Sequence, residues 1–184
     1  MKLFVNIVIY QVAWLACILG GANGLPLAGM GVVSMAVAYH LYNARDARAE
    51  AILIAIAAIV GGVWESLLVT AGLLVYPSGT LLAGTAPYWI VALWVGFATT
   101  FNVSLRWFKQ HLLFAALFGA VGGPLAFLAG ERLGGVVFTD YPLALGALAL
   151  GWATLMPAML LTAQRYNGVD EPRAAKPAIA GCGS

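Results

Sequence analysis

Six apolar stretches, separated by short polar or glycine-rich breaks, fill most of the chain up to residue 164. They cover about 3–20, 25–42, 50–74, 87–107, 111–129 and 142–164. Each comes close to the roughly twenty residues that a helix needs to cross about 30 Å of hydrocarbon. The pattern predicts an all-α bundle of six transmembrane helices. The breaks agree with it. Gly20-Gly21-Ala22-Asn23-Gly24-Leu25-Pro26 reads as a turn. The stretch from Asn43 to Glu50, the most charged of the chain, is expected in water. Tyr76-Pro77-Ser78-Gly79-Thr80 and Gly84-Thr85-Ala86-Pro87 form an uncharged loop. Glu131, Arg132 and Asp140 mark the next one, with Gly134-Gly135 between them.

The first stretch follows Lys2, as a signal peptide would, but it is long and no small-x-small cleavage site follows it. It is therefore read as a retained span. Residues 167–184 are rich in Ala, Gly and Pro without apolar periodicity, and are expected to form a disordered cytoplasmic tail.

Composition strengthens the membrane reading. Of 184 residues, 62% are hydrophobic and 9% charged, against about a quarter charged in soluble domains. So few charges cannot cover a water-facing surface. The net charge of +2 gives no basis for nucleic-acid binding. Charge instead sets orientation. With the N-terminus inside, Lys2, Arg45, Arg48, Arg106, Lys109, Arg165, Arg173 and Lys176 fall on the cytoplasmic side, and only Arg132 falls outside. This positive-inside bias predicts an N-in/C-in protein of the bacterial inner membrane. Cys17 and Cys182 have no metal-site spacing and read as incidental. Glycine in the second and fifth stretches leaves a re-entrant path open for either.

Polar residues inside the apolar stretches are the candidate site. At 1.5 Å per residue, Asn6, Gln11, His40, Thr99 and Asn102 all fall in the inner half of the membrane. Thr99, Asn102 and Arg106 follow i, i+3, i+7 spacing, which places them on one helical face. That face is expected to look into the bundle, with Asn6, Gln11 or His40 as partners. It reads either as a pocket for a lipid headgroup or small substrate, or as interhelical hydrogen bonding with no further role. Glu65 stands apart, roughly 22 Å from the inner side and level with Trp94. It reads either as a buried catalytic or proton-carrying carboxylate, or as a hydrated group near the outer interface. Gly119-x-x-x-Gly123 reads as a close-packing face. His40 and His111 lack a second ligand at helical spacing, so no metal or cofactor is expected. No HExxH motif, nucleophile elbow or phosphate loop is present.

Several features together resemble a known family. They are Pro87-x-Trp89, Leu93-Trp94-x-x-Phe97-Ala98, Ser104-Leu105-x-Trp107, Gly119-x-x-x-Gly123-Pro124-Leu125-Ala126-Phe127-x-Ala129-Gly130, and Leu133-Gly134. This pattern is similar to the bacterial inner-membrane proteins of domain-of-unknown-function family 2878, over most of 1–164. The resemblance implies a small multi-pass protein, with an aspartate common near the Glu65 position. Its relatives stand beside genes for lipid modification, which implies a link to membrane lipid metabolism. The expectation is an accessory membrane protein, not an enzyme, that binds membrane lipids or a partner membrane protein. The alternatives are a membrane-embedded lipid-modifying enzyme using Glu65, and a small proton-coupled transporter.

Overall fold

The structure, a computed structural model, describes residues 2–169. Six helices follow one another: α1 (Lys2–Ala22), α2 (Pro26–Asn43), α3 (Ala47–Thr70), α4 (Tyr88–Phe101), α5 (Leu112–Arg132) and α6 (Tyr141–Arg165). A short 3-10 turn, Arg106–Gln110, precedes α5. The fold is all-α apart from two two-residue strands, β1 (Leu74–Val75) and β2 (Val137–Phe138). α1, α3, α5 and α6 are long and apolar enough to cross a membrane.

Local chemistry sets the helix ends. Pro26 opens α2, where its missing N–H is no loss. Asp46 caps α3 by accepting from the Ala49 N–H, and Asp140 caps α6 by accepting from Leu143, each at 3.0 Å. Of the six expected spans, α2 and α4 are not among the four that are long and apolar enough, and α4 departs furthest from its expected bounds. It stops at Phe101 after 14 residues, about 21 Å, where the apolar pattern predicts a span over 87–107. The Thr99 and Thr100 hydroxyls donate back to the Gly96 and Phe97 carbonyls, and the Leu105 N–H turns back to the Thr100 carbonyl. Polar side chains that bond the backbone locally compete with helix continuation.

α4 is the central helix and packs against α1, α2 and α3, while α5 pairs with α6. The core gathers Trp89, Trp94 and Phe101 of α4, Leu53 of α3, Cys17 of α1 and Leu160 of α6. Many large apolar side chains point outward, among them Phe4, Leu113, Phe114, Leu125 and Leu150. Such a surface suits hydrocarbon, not water.

The helices alternate in direction. At one end, Asn6 of α1 donates to the Thr99 carbonyl near the close of α4. Gln164, near the close of α6, bonds the Lys109 carbonyl just before α5. At the opposite end, Ser78 donates to the Gly21 carbonyl at the close of α1, and β1 pairs antiparallel with β2, Leu74 facing Phe138. This small sheet joins the α3–α4 and α5–α6 connections. Lys2, Arg45, Arg48, Arg106, Lys109 and Arg165 belong to the first end, and Arg132 to the second.

Gly119 and Gly123 of α5 face the Trp152 backbone and ring on α6, leaving no room for a Cβ at either position. The small-residue face is therefore a packing device, and α5 runs unbroken through Pro124.

Candidate functional site

Glu50 organises the first polar centre. It sits on the inward stripe of α3 with Leu53, Ile54 and Ala57, and is fully buried at 0% exposure. The expectation that this charged stretch lies in water is wrong for Glu50, though Arg45, Asp46 and Arg48 are exposed. Asn102 Nδ2 donates to Glu50 Oε1 at 2.7 Å. The Gly168 N–H donates to the same oxygen at 2.7 Å, and His40 Nε2 lies 2.7 Å from Oε2. Asn102 also donates to the Tyr166 carbonyl at 3.0 Å and accepts from Lys109 Nζ at 2.9 Å. Five segments meet on one carboxylate and one amide.

The predicted polar face is thus rearranged. Asn102 caps α4 instead of continuing it, so the i, i+3, i+7 geometry breaks and Arg106 lies exposed in the 3-10 turn. Asn6 reaches Thr99 through its backbone carbonyl and accepts from Ser104 Oγ at 2.7 Å. His40 meets Asn102 only through Glu50. Gln11 belongs elsewhere, on the wall of a cleft described below. Asn167 to Val169, read as the start of the tail, fold back on this centre, and the Gly168 carbonyl accepts from the Arg45 and Asp46 N–H groups. The rest of that tail lies outside the described residues.

A buried carboxylate that accepts several hydrogen bonds is well compensated. With its donors committed to the Glu50, Asn102 and Tyr166 oxygens, this centre has the form of a structural knot that ties α2, α3, α4 and the C-terminal segment. Among the described residues, no three His, Cys, Asp or Glu side chains are grouped to hold a metal ion.

Glu65 forms the second centre. It is buried at 1% exposure, which removes the hydrated reading within the protein fold. Tyr76 Oη donates to Oε2 at 3.0 Å and Trp94 Nε1 donates to Oε1 at 3.3 Å. Gly61, one turn earlier on α3, lets the Trp94 ring lie against the helix. Trp94 in turn stacks on Trp152, with centroids 4.9 Å apart and planes 13° from parallel. Glu65 and Asn102 remain two separate polar levels, as their sequence depths imply.

Beside Glu65 opens a cleft of about 470 Å³. One wall is α1, with Gln11 and Trp14, and the other is α5, with Phe118, Gly122 and Ala126. The floor includes Trp94 and Phe97 of α4 and Trp152 of α6. α1 and α5 are not packed along their length; near one end, Ile18 of α1 lies close to Gly130 of α5 and to Gly135 in the connection that follows. The α5 residues lining the cleft run from Phe118 to Gly130, about 18 Å along the helix. The lining is overwhelmingly apolar and aromatic, as in small-molecule sites generally.

A family model described as "Protein of unknown function (DUF2878)" matches residues 3–158. The chain belongs to that family. No curated protein and no solved structure matches it. The DUF2878 match spans α1 to most of α6, and so takes in Glu50, Glu65, Asn102 and every residue lining the cleft. Of the DUF2878 motif residues quoted from the sequence, Trp89, Leu93, Trp94, Phe97, Gly119, Gly123, Leu125, Ala126, Phe127, Ala129 and Gly130 all line it.

Proposed function

We propose that this DUF2878 protein is a six-span, N-in/C-in protein of the bacterial inner membrane that binds one apolar lipid chain in the cleft between α1 and α5. The carrying observation is that these two helices stand apart over an apolar, aromatic-floored slot beside outward-facing hydrocarbon side chains. In a bilayer, the substance next to such a slot is acyl chain. The alternating helix directions and the concentration of cations at one end support the orientation. α4 is short for a full crossing, but it is shielded by its neighbours, and its polar end is covered by the Glu50 centre. Irregular backbone at membrane depth is tolerated where protein covers it.

This reading moves ligand binding from the inner polar face to the cleft, because Asn6, His40, Thr99 and Asn102 are committed to Glu50, Ser104 or backbone carbonyls. It makes the protein an accessory, lipid-holding component of membrane lipid metabolism. A lipid-modifying enzyme is the second reading, favoured by the placement of Glu65 on the cleft wall.

Reconstitution in brominated phosphatidylcholine tests the cleft. Bromine on the acyl chain quenches nearby indoles, and Trp14, Trp94 and Trp152 all line the slot. A Cβ added at Gly122 would meet only the Phe118 ring, at 3.8 Å, so a leucine there has room to fill the cleft. Quenching is expected to fall in Gly122→Leu. Equal quenching in both proteins would count against the reading.

A further inference from the structure

We infer that the occupant of the cleft carries a neutral oxygen, a carbonyl or a hydroxyl, partway along its apolar part, and that Gln11 recognises it. The inference rests on the lipid-cleft reading and adds the chemistry of the polar contact.

Gln11 is the tenth of the 21 residues of α1, about 14 Å along the helix from its start. In a spanning helix that is near the middle of about 30 Å of hydrocarbon. The residue is exposed and lines the cleft, and its amide makes no hydrogen bond among the described residues. The Asn6 amide on the same helix behaves differently, donating to the Thr99 carbonyl and accepting from Ser104. Around Gln11 the exposed side chains of α1 are apolar: Ile7, Val8, Val12 and Leu15. Neither the protein nor water at the bilayer centre therefore supplies a partner, and an amide left unpaired in hydrocarbon is costly. A ligand in the cleft is the partner that the amide lacks.

The amide brings two N–H donors and one acceptor, so an oxygen on the ligand is what it calls for first. Depth decides which oxygen. The headgroup of a phospholipid lies in the polar layer outside the hydrocarbon and does not reach the level of Gln11. A charged group at that depth is disfavoured, and the acidic Glu65 lines the same cleft. A neutral oxygen set within the apolar part of the molecule meets both conditions. The aromatic floor of Trp94, Phe97 and Trp152 accommodates the hydrocarbon around it.

Two probes of equal length separate the contributions: hexadecane, and the ketone with its carbonyl in the middle of the same chain. Each is titrated into vesicles of brominated phosphatidylcholine that contain the protein, and relief of tryptophan quenching reports entry into the cleft. In the wild type the ketone is expected to act at about fivefold lower membrane concentration, the equivalent of one net hydrogen bond. Gln11→Leu removes an exposed amide that bonds nothing in the fold, so it is expected to fold and to bring the two probes together. Equal action of both probes on the wild type, with Gly122→Leu abolishing both, would leave the cleft reading standing and overturn oxygen recognition. A ketone preference that survives in Gln11→Leu would overturn the role of Gln11. So would an unchanged preference in a Gln11→Leu protein that has passed from dimer to monomer, because the amide would then join two copies of the chain. Relief by neither probe, with Gly122→Leu quenched like the wild type, would overturn both readings.

Discussion

Asn102 Nδ2 lies 2.7 Å from Glu50 Oε1, joining the first turn of α3 to the end of α4 across 52 residues of sequence. Both residues are fully buried. The contact stands at the end of α4, where Asn102 is the capping residue.

Glu50→Ala leaves His40, the Asn102 amide and the Gly168 N–H without their shared acceptor. The expected loss is about 2–5 kcal/mol, because each buried donor left without its acceptor costs about 1–3 kcal/mol. Glu50→Gln keeps an acceptor oxygen and should lose less. Thermal unfolding in detergent, followed by tryptophan fluorescence, measures both. Wild-type stability in Glu50→Ala would show that the knot is not structural.

How much of this was legible in the sequence depends on the type of interaction. Long apolar runs with clear breaks placed five helices nearly correctly, because lipid-facing length is a property of the run itself. The end of α4 was hidden because Thr99, Asn102 and Arg106 have helical spacing, although the threonines and Asn102 turn to other partners. Glu50 was masked by Arg45, Asp46 and Arg48, yet a signal was present. It stands three, four and seven residues before Leu53, Ile54 and Ala57, all buried, and so shares their inward stripe. The β1–β2 pair had only short apolar runs flanked by Gly72 and Gly134-Gly135. The cleft was not legible, because it depends on two helices failing to meet.

Tyr76 should set an alkaline limit on stability. Burial, and then the Glu65 carboxylate to which it donates, push its phenol well above its ordinary value near 10. The native state thus holds this proton more tightly than the unfolded chain does. That contribution is complete below about pH 10 and is lost as pH rises through the folded value. Unfolding temperature should therefore fall above pH 10 in the wild type, and fall less steeply in Tyr76→Phe. Parallel curves for the two proteins would contradict this assignment.

Gly119→Ala places a methyl group against the Trp152 backbone, which cannot rotate aside as a side chain would. Overpacking of this kind costs about 1–3 kcal/mol. The α5–α6 pair should loosen, with a lower unfolding temperature in detergent. Gly146→Ala on α6, where a Cβ meets nothing within 4 Å, is the control and should be neutral or slightly stabilising.

Orientation is open to direct labelling. In a background without Cys17 and Cys182, Leu81→Cys, at an exposed position in the α3–α4 connection, should react with an impermeant maleimide added to whole cells. Arg106→Cys, also exposed, should react only after the membrane is opened. The reverse pattern would invert the N-in/C-in reading.

The most direct test of the lipid cleft is a native mass spectrum of protein extracted in mild detergent. The wild type is expected to retain one lipid per chain, and Gly122→Leu, with the slot filled, is expected to lose it while unfolding at the same temperature. A wild type free of lipid, or a variant that keeps the same bound mass, would contradict the account.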